Sequence, residues 1–181
     1  MLRTKDILDE KDPRVRAKNT DVDFPLNDEY KDIIPEMLKH LRYSQIEKLS
    51  KKYDLRPGMG LAAPQLGINK NFFVVCYEVK DGVFDDYILI NPKVISYSEE
   101  MIYAGEGEGC LSVNREVEGI VPRHARITVE AYDLDGNKRK YRVREDLAIA
   151  FQHELDHLNG ILFVDYIDPK DPYKNAELYR E

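Results

Sequence analysis

The chain is poor in the residues that would let it fold by covalent staples or sit in a membrane. It has two cysteines, Cys76 and Cys110, in 181 residues, so a disulfide framework is excluded. Sequence leaves a single bridge between them open. No run approaches the ~20 apolar residues that span a bilayer. The start, MLRTKDILDEKDP, alternates charge with isolated apolar residues and has no apolar signal-peptide core. A reducing cytoplasm is therefore the expected compartment, and each thiol needs its own explanation. An excess of positive charge is missing too. The formal net charge is −7, which argues against an intrinsic nucleic-acid or anionic-membrane binder. Repeats and low-complexity linkers are absent. What remains is one domain over residues 1–181, long enough to enclose a core without help.

Residues 1–26 read as irregular, with Pro13 and Pro25 as breakers. From Asn27 the apolar residues Ile33, Ile34, Met37, Leu38 and Leu41 recur at helical steps. Pro35 inside that run predicts a kink or a start shifted to the first turn. A weaker continuation through Ile46 and Leu49 is expected to stop at Pro57-Gly58. The stretches NFFVVCYEV (71–79) and YILINPKVISY (87–97) are β-branched and aromatic, as strands are. ARITVEAYDL and KRKYRVR flank Asp135-Gly136, a hairpin signal, and so favour antiparallel pairing. A last helix is expected from about Glu145 to Leu158, closed by Asn159-Gly160. Helix, strands, then helix is an α+β order.

Three short stretches carry chemistry. In FQHELDHLNG (151–160), His153 and His157 project one turn apart from one helix face and can reach one ion. Glu154 lies beside them, placed to touch a bound water. Ile149 and Ala150 sit one turn earlier and are candidates to line a pocket, while Leu147, Phe151, Leu155 and Leu158 form an anchoring face. Ordinary surface histidines would share this spacing, and two imidazoles leave a catalytic ion one ligand short. EGEGCLSV (106–113) offers the third ligand. Cys110 stands among Gly105, Gly107, Gly109 and two glutamates, unlike Cys76, whose neighbours make it a core residue. His40 and His124 lack partners at ligand spacing and read as non-functional. In GMGLAAPQLG (58–67), the glycines and Gln65 suggest exposed backbone close to a substrate. No Lys-Ser/Thr follows and no strand precedes, so a phosphate loop is a poor fit.

Together GMGLAAPQ (58–65), EGCLS (108–112) and HELDH (153–157) resemble the signature segments of peptide deformylases, in order and at comparable separations. The insertion between the first two, the GEGCLSV form and the length are similar to the longer, second class of bacterial enzymes. The likeness runs from about Ile7 to Asp168. Met59 and Pro64 fall at variable places, and Asn114 follows CLSV where relatives often carry another residue. The resemblance implies antiparallel sheets around a central metal-binding helix, with an N-terminal helix before them. It implies removal of the formyl group from N-formylmethionine on nascent polypeptides. It also implies one divalent metal held by Cys110, His153 and His157, natively ferrous iron, with zinc, nickel or cobalt able to substitute. Glu154 would be the acid–base group, with Gln65 and the Leu111 N–H as oxyanion donors. Gly58, Gly60 and Gly109 would let the substrate run as an extended strand, with the methionine side chain against Ile149 and Ala150. A monomer with transient ribosome association is expected. Asp156 and Arg123 are suspected of orienting a ligand histidine, by accepting its N–H or by pairing together.

Two rival readings fit the same residues. A metallopeptidase shares HExxH but draws its third ligand from downstream, where only Asp165 and Asp168 are available. A peptide-binding module with a structural metal would need a fourth ligand.

Overall fold

The computed structural model describes residues 1–181. Helix α1 (Asp28–Gln45) begins where Asn27 caps it, its side chain accepting the Tyr30 N–H. The helix continues through Pro35, which is exposed, so the Lys31 carbonyl that loses its partner can be hydrated. Ile34, Met37, Leu38 and Leu41 on the opposite face are buried, and their packing outweighs the proline. The chain turns at Ile46 into a short α2 (Glu47–Tyr53), which stops at left-handed Asp54, three residues before the expected Pro57. Residues 1–26 contain only two brief 3-10 turns.

Five strands form one antiparallel sheet in the order β1-β2-β3-β6-β7: β1 (Gly60–Ala62), β2 (Phe72–Lys80), β3 (Val83–Tyr97), β6 (Arg126–Tyr132) and β7 (Lys138–Arg144). A separate pair, β4 (Met101–Ile102) with β5 (Arg123–His124), lies beside it. β3 starts four residues earlier than its apolar run because Val83 to Asp86 continue the pairing with β2. Left-handed Gly136 closes the β6–β7 hairpin, as Asp135-Gly136 signals.

Strand β2 shows why FFVVCY is apolar throughout. Phe72, Val74 and Cys76 pack toward α1 with Met37 and Leu41, whereas Phe73 and Val75 join Phe151 and Leu158 of α3 (Glu145–Leu158). Both faces of the strand are therefore covered, and Phe72 to Cys76 are all buried. Neither cysteine forms a disulfide. Burial beneath α1 pushes the Cys76 thiol up to about 12, as a structural cysteine requires.

Helix α3 follows β7 without a loop, and Glu145 takes a positive φ of 53° to make the turn. Phe151 is fully buried and meets the rings of Phe73, Tyr87 and Tyr141 at 5.7, 5.4 and 6.2 Å. At its C-terminus, Gly160 has φ 71° and lies so close to the Arg16 carbonyl that a Cβ would sit 2.8 Å from it. The helix is thus seated between the sheet and the N-terminal segment. Phe151→Ala should lower unfolding free energy by about 3–5 kcal/mol, read from denaturant melts, because no neighbour can fill the ring's place.

Candidate metal centre

Helix geometry puts His153 and His157 on one side of α3, with ring centroids 5.1 Å apart. The segment after β4 folds back over this face. Gly107, at φ 81°, makes the turn that carries Cys110 inward. Cys110 Sγ lies 3.3 Å from His157 Nε2, and one donor atom from each of Cys110, His153 and His157 falls within 4.8 Å of the others. Tetrahedral ligands ~2.0–2.3 Å from an ion stand roughly 3.3–3.8 Å apart, so the three donors fit one cation. The His157 Nδ1 and a Glu154 carboxylate oxygen are buried without any protein partner.

His153 is oriented from behind. Its Nδ1 donates to Glu108 Oε1 at 2.8 Å, which leaves Nε2 for the centre. Glu108 in turn accepts two bonds from Arg123, at 2.8 and 2.9 Å, and Arg123 reaches Asp156 at 2.6 Å. Of the two expected arrangements, Asp156 therefore takes the Arg123 pairing; the histidine's acceptor is Glu108. Both members of the central pair are almost wholly enclosed, with side-chain exposures of 3% and 4%. Burial disfavours the Glu108 anion, but Arg123 and His153 outweigh it and hold the carboxyl below its ordinary value. Glu154 has no such cation bonded to it, and burial pushes its carboxyl up to about 7.

In front of this centre opens a cleft of about 490 Å³. Its walls include Gly58, Met59, Gly60 and Gln65 from one side, Gly109, Cys110 and Leu111 from another, and Ile149, Ala150, His153 and Glu154 from α3. His157 lies behind the wall, 1% exposed. The three expected glycines prove to have different reasons. A Cβ on Gly60 would sit 2.3 Å from Glu154 Oε1, so this glycine makes room for the carboxylate. At Gly58 a Cβ would press on the Leu111 side chain at 2.8 Å. Gly109 borders open space.

Gln65 is 1% exposed and its amide is fixed at both ends: Oε1 accepts the Ala62 N–H at 2.9 Å, and Nε2 donates to Ser112 Oγ at 3.0 Å. The second Nε2 hydrogen is directed to the Cys110 side, with sulfur 3.6 Å away. The Leu111 N–H donates to no protein group. One Gln65 amide hydrogen thus faces the donor cluster, and the unpaired Leu111 N–H lies one residue beyond Cys110.

Glu108 and Ser112 are missed by sequence reasoning. The glutamates of EGEGC there count as signs of exposure, whereas one of them is buried against Arg123; a charge two residues from Cys110 is the available signal. His40 and His124 lie outside the cleft. His40 faces the Leu2 carbonyl at 3.1 Å, and His124 stacks on Tyr97 with centroids 4.4 Å apart. Asp165 is tied to Arg16 at 2.5 Å and Asp168 accepts the Lys170 N–H, so neither joins the donor group that a downstream-ligand peptidase would need.

One sulfur, two imidazoles and an adjacent buried carboxylate define the class of metal-dependent hydrolases. Comparison with known proteins narrows it. The polypeptide deformylase family model matches residues 4–173. The chain is 50% identical over 175 residues to the peptide deformylase of Macrococcus caseolyticus, covering 96% of this chain and 95% of that one. It is 46% identical over 173 residues to peptide deformylase 2 of Bacillus anthracis, covering 96% and 94%. Among solved structures, the peptide deformylase of Thermotoga maritima superposes with a TM-score of 0.69 at 32% identity, over 90% of this chain and 97% of that one. That of Legionella pneumophila gives 0.72 at 28% identity, over 92% and 87%. The chain belongs to the peptide deformylase family, metal-dependent enzymes that hydrolyse the formyl group from N-formylmethionine of newly made polypeptides and release formate.

No helix is long and apolar enough to cross a membrane. Glu108→Gln should weaken metal binding about 10–100-fold in a chelator competition, because the neutral amide is a poorer acceptor for His153 and leaves Arg123 half-paired.

Proposed function

We propose that residues 1–181 act as one catalytic domain in which Cys110, His153 and His157 hold a single divalent ion and Glu154 moves the proton. The observation that carries the proposal is the approach of those three donors to within 4.8 Å beside a buried carboxylate and an unpaired Leu111 N–H. Ferrous iron is the native ion in this reading, and zinc, nickel or cobalt suit the same thiolate–imidazole set. A divalent cation there supplies Lewis acidity, easing deprotonation of water and polarising a carbonyl.

The remaining work belongs to the chain. Glu154 takes the proton of the attacking water and delivers it to the departing amine, a task suited to a carboxyl raised to about 7. As the formyl oxygen gains negative charge, Gln65 Nε2 and the Leu111 N–H donate to it; each such donor is worth roughly 3–4 kcal/mol. Gln65 has no need to reorganise, since Ala62 and Ser112 already clamp its amide. The substrate lies extended along β1, an edge strand of the sheet, so backbone contacts at Gly58, Gly60 and Gly109 tolerate varied downstream residues. Ile149 and Ala150 provide the apolar contact for methionine. The enzyme works as a cytoplasmic monomer that meets formylated chains transiently at the ribosome, a setting compatible with two unbridged thiols.

An anaerobic formate-release assay on a formyl-Met-Ala peptide, paired with elemental analysis, tests the assignment. Cleavage confined to internal amides would reject it. Glu154→Ala should keep its metal and lose roughly 10²–10⁴-fold in kcat. Undiminished turnover would remove Glu154 as the base. Cys110→Ala should lose the metal, and full occupancy in that variant would strike the thiolate from the ligand set.

A further inference from the structure

The two oxyanion donors proposed above come from segments far apart in the chain, Gln65 and the loop around Leu111. Something must hold them at one separation. Inside, a single bond does so, from Gln65 Nε2 to Ser112 Oγ. Outside, the N-terminal segment crosses both. The Leu8 N–H donates to the Gln65 carbonyl at 2.8 Å and the Glu10 N–H to the Ser112 carbonyl at 2.7 Å. Two residues of chain span at most roughly 7 Å, so this strap sets a short, fixed distance between the donor segments.

Between Leu8 and Glu10 stands Asp9, and its side chain leads to the metal loop. Asp9 Oδ1 accepts the Lys11 N–H at 3.0 Å, and Asp9 Oδ2 accepts from Asn114 Nδ2 at 2.7 Å. Asn114 Oδ1 accepts from Arg56 Nη1 at 2.8 Å, while Arg56 Nη2 donates to the carbonyl of Cys110. Arg56 also lines the cleft. The chain of bonds therefore ends on the peptide unit whose N–H is the Leu111 donor. The amide at position 114 uses both its ends, accepting from a guanidinium on one side and donating to a carboxylate on the other, which a carboxylate there could not do.

We propose that Asn114 is a positioning residue for deformylation. Through Arg56 and Asp9 it locks the Cys110–Leu111 peptide to the N-terminal strap, and so aligns the Leu111 N–H with Gln65. The inference rests on the oxyanion role given to those two groups.

The test uses the full-length metal-loaded enzyme and a formyl-Met-Ala-Ser peptide. Asn114→Asp keeps the acceptor for Arg56 but sets two carboxylates against each other. A double variant, Asp9→Asn with Asn114→Asp, exchanges donor and acceptor between the two positions. The amide introduced at position 9 would still accept the Lys11 N–H and would donate to the carboxylate introduced at position 114, restoring every bond. For the single variant we expect kcat to fall about five- to tenfold with KM and metal content unchanged. In the cobalt-loaded form its thiolate-to-metal charge-transfer band should shift. The double variant should recover most of both signals. A general loss of fold would not be repaired by that exchange and would not spare KM. Parental kcat in the single variant, or a double variant no better than the single, overturns the proposal. Failure of the parent enzyme to release formate would instead overturn the function itself, so the two failures are distinct.

Discussion

The buried pair of Glu108 and Arg123 is the constraint on which the centre depends. It ties the loop that carries Cys110 to β5, and its third arm, Asp156, belongs to the helix that carries the histidines. Taking these charges out of water costs several kcal/mol per ion, and an unpaired member would be more costly still. The pair therefore permits few alternative arrangements: the carboxylate has to face the guanidinium with both oxygens, and its remaining capacity falls on His153 Nδ1. The His153 ring is oriented as a by-product of satisfying a buried salt bridge.

The layered core serves the same end. With α1 on one face of β2 and α3 on the other, the sheet is a partition, and the helix that carries His153 and His157 is packed against it through Phe151 and Leu158. β1 closes one edge of that sheet, which leaves backbone hydrogen-bonding groups beside the cleft. An edge strand that would otherwise be a liability here becomes the place where an extended peptide can lie.

The environments of Glu108 and Glu154 show how one site separates two carboxyls by charge. Each is buried, but only Glu108 is hydrogen-bonded to a cation, so their proton affinities move in opposite directions. The carboxylate held as the anion orients His153, and the carboxyl poised near neutrality lines the cleft.

Local pattern determined much of this from sequence. Helical spacing located α3 to its ends, the Asp135-Gly136 turn located the hairpin, and the three short motifs singled out Cys110, His153 and His157, which the fold gathers into one cluster beside Glu154. Periodicity also marked the faces of α1, though not its passage through Pro35, which needed the buried contacts to offset a lost hydrogen bond. Tertiary structure alone decided that Glu108 is buried, that Asp156 serves Arg123 rather than a histidine, that Gly60 exists to admit Glu154, and that Asn114 joins Arg56 to Asp9. Each of those facts is a meeting of side chains far apart in sequence. A residue's type announces what it can bond to, but only the folded chain settles which partner is within reach.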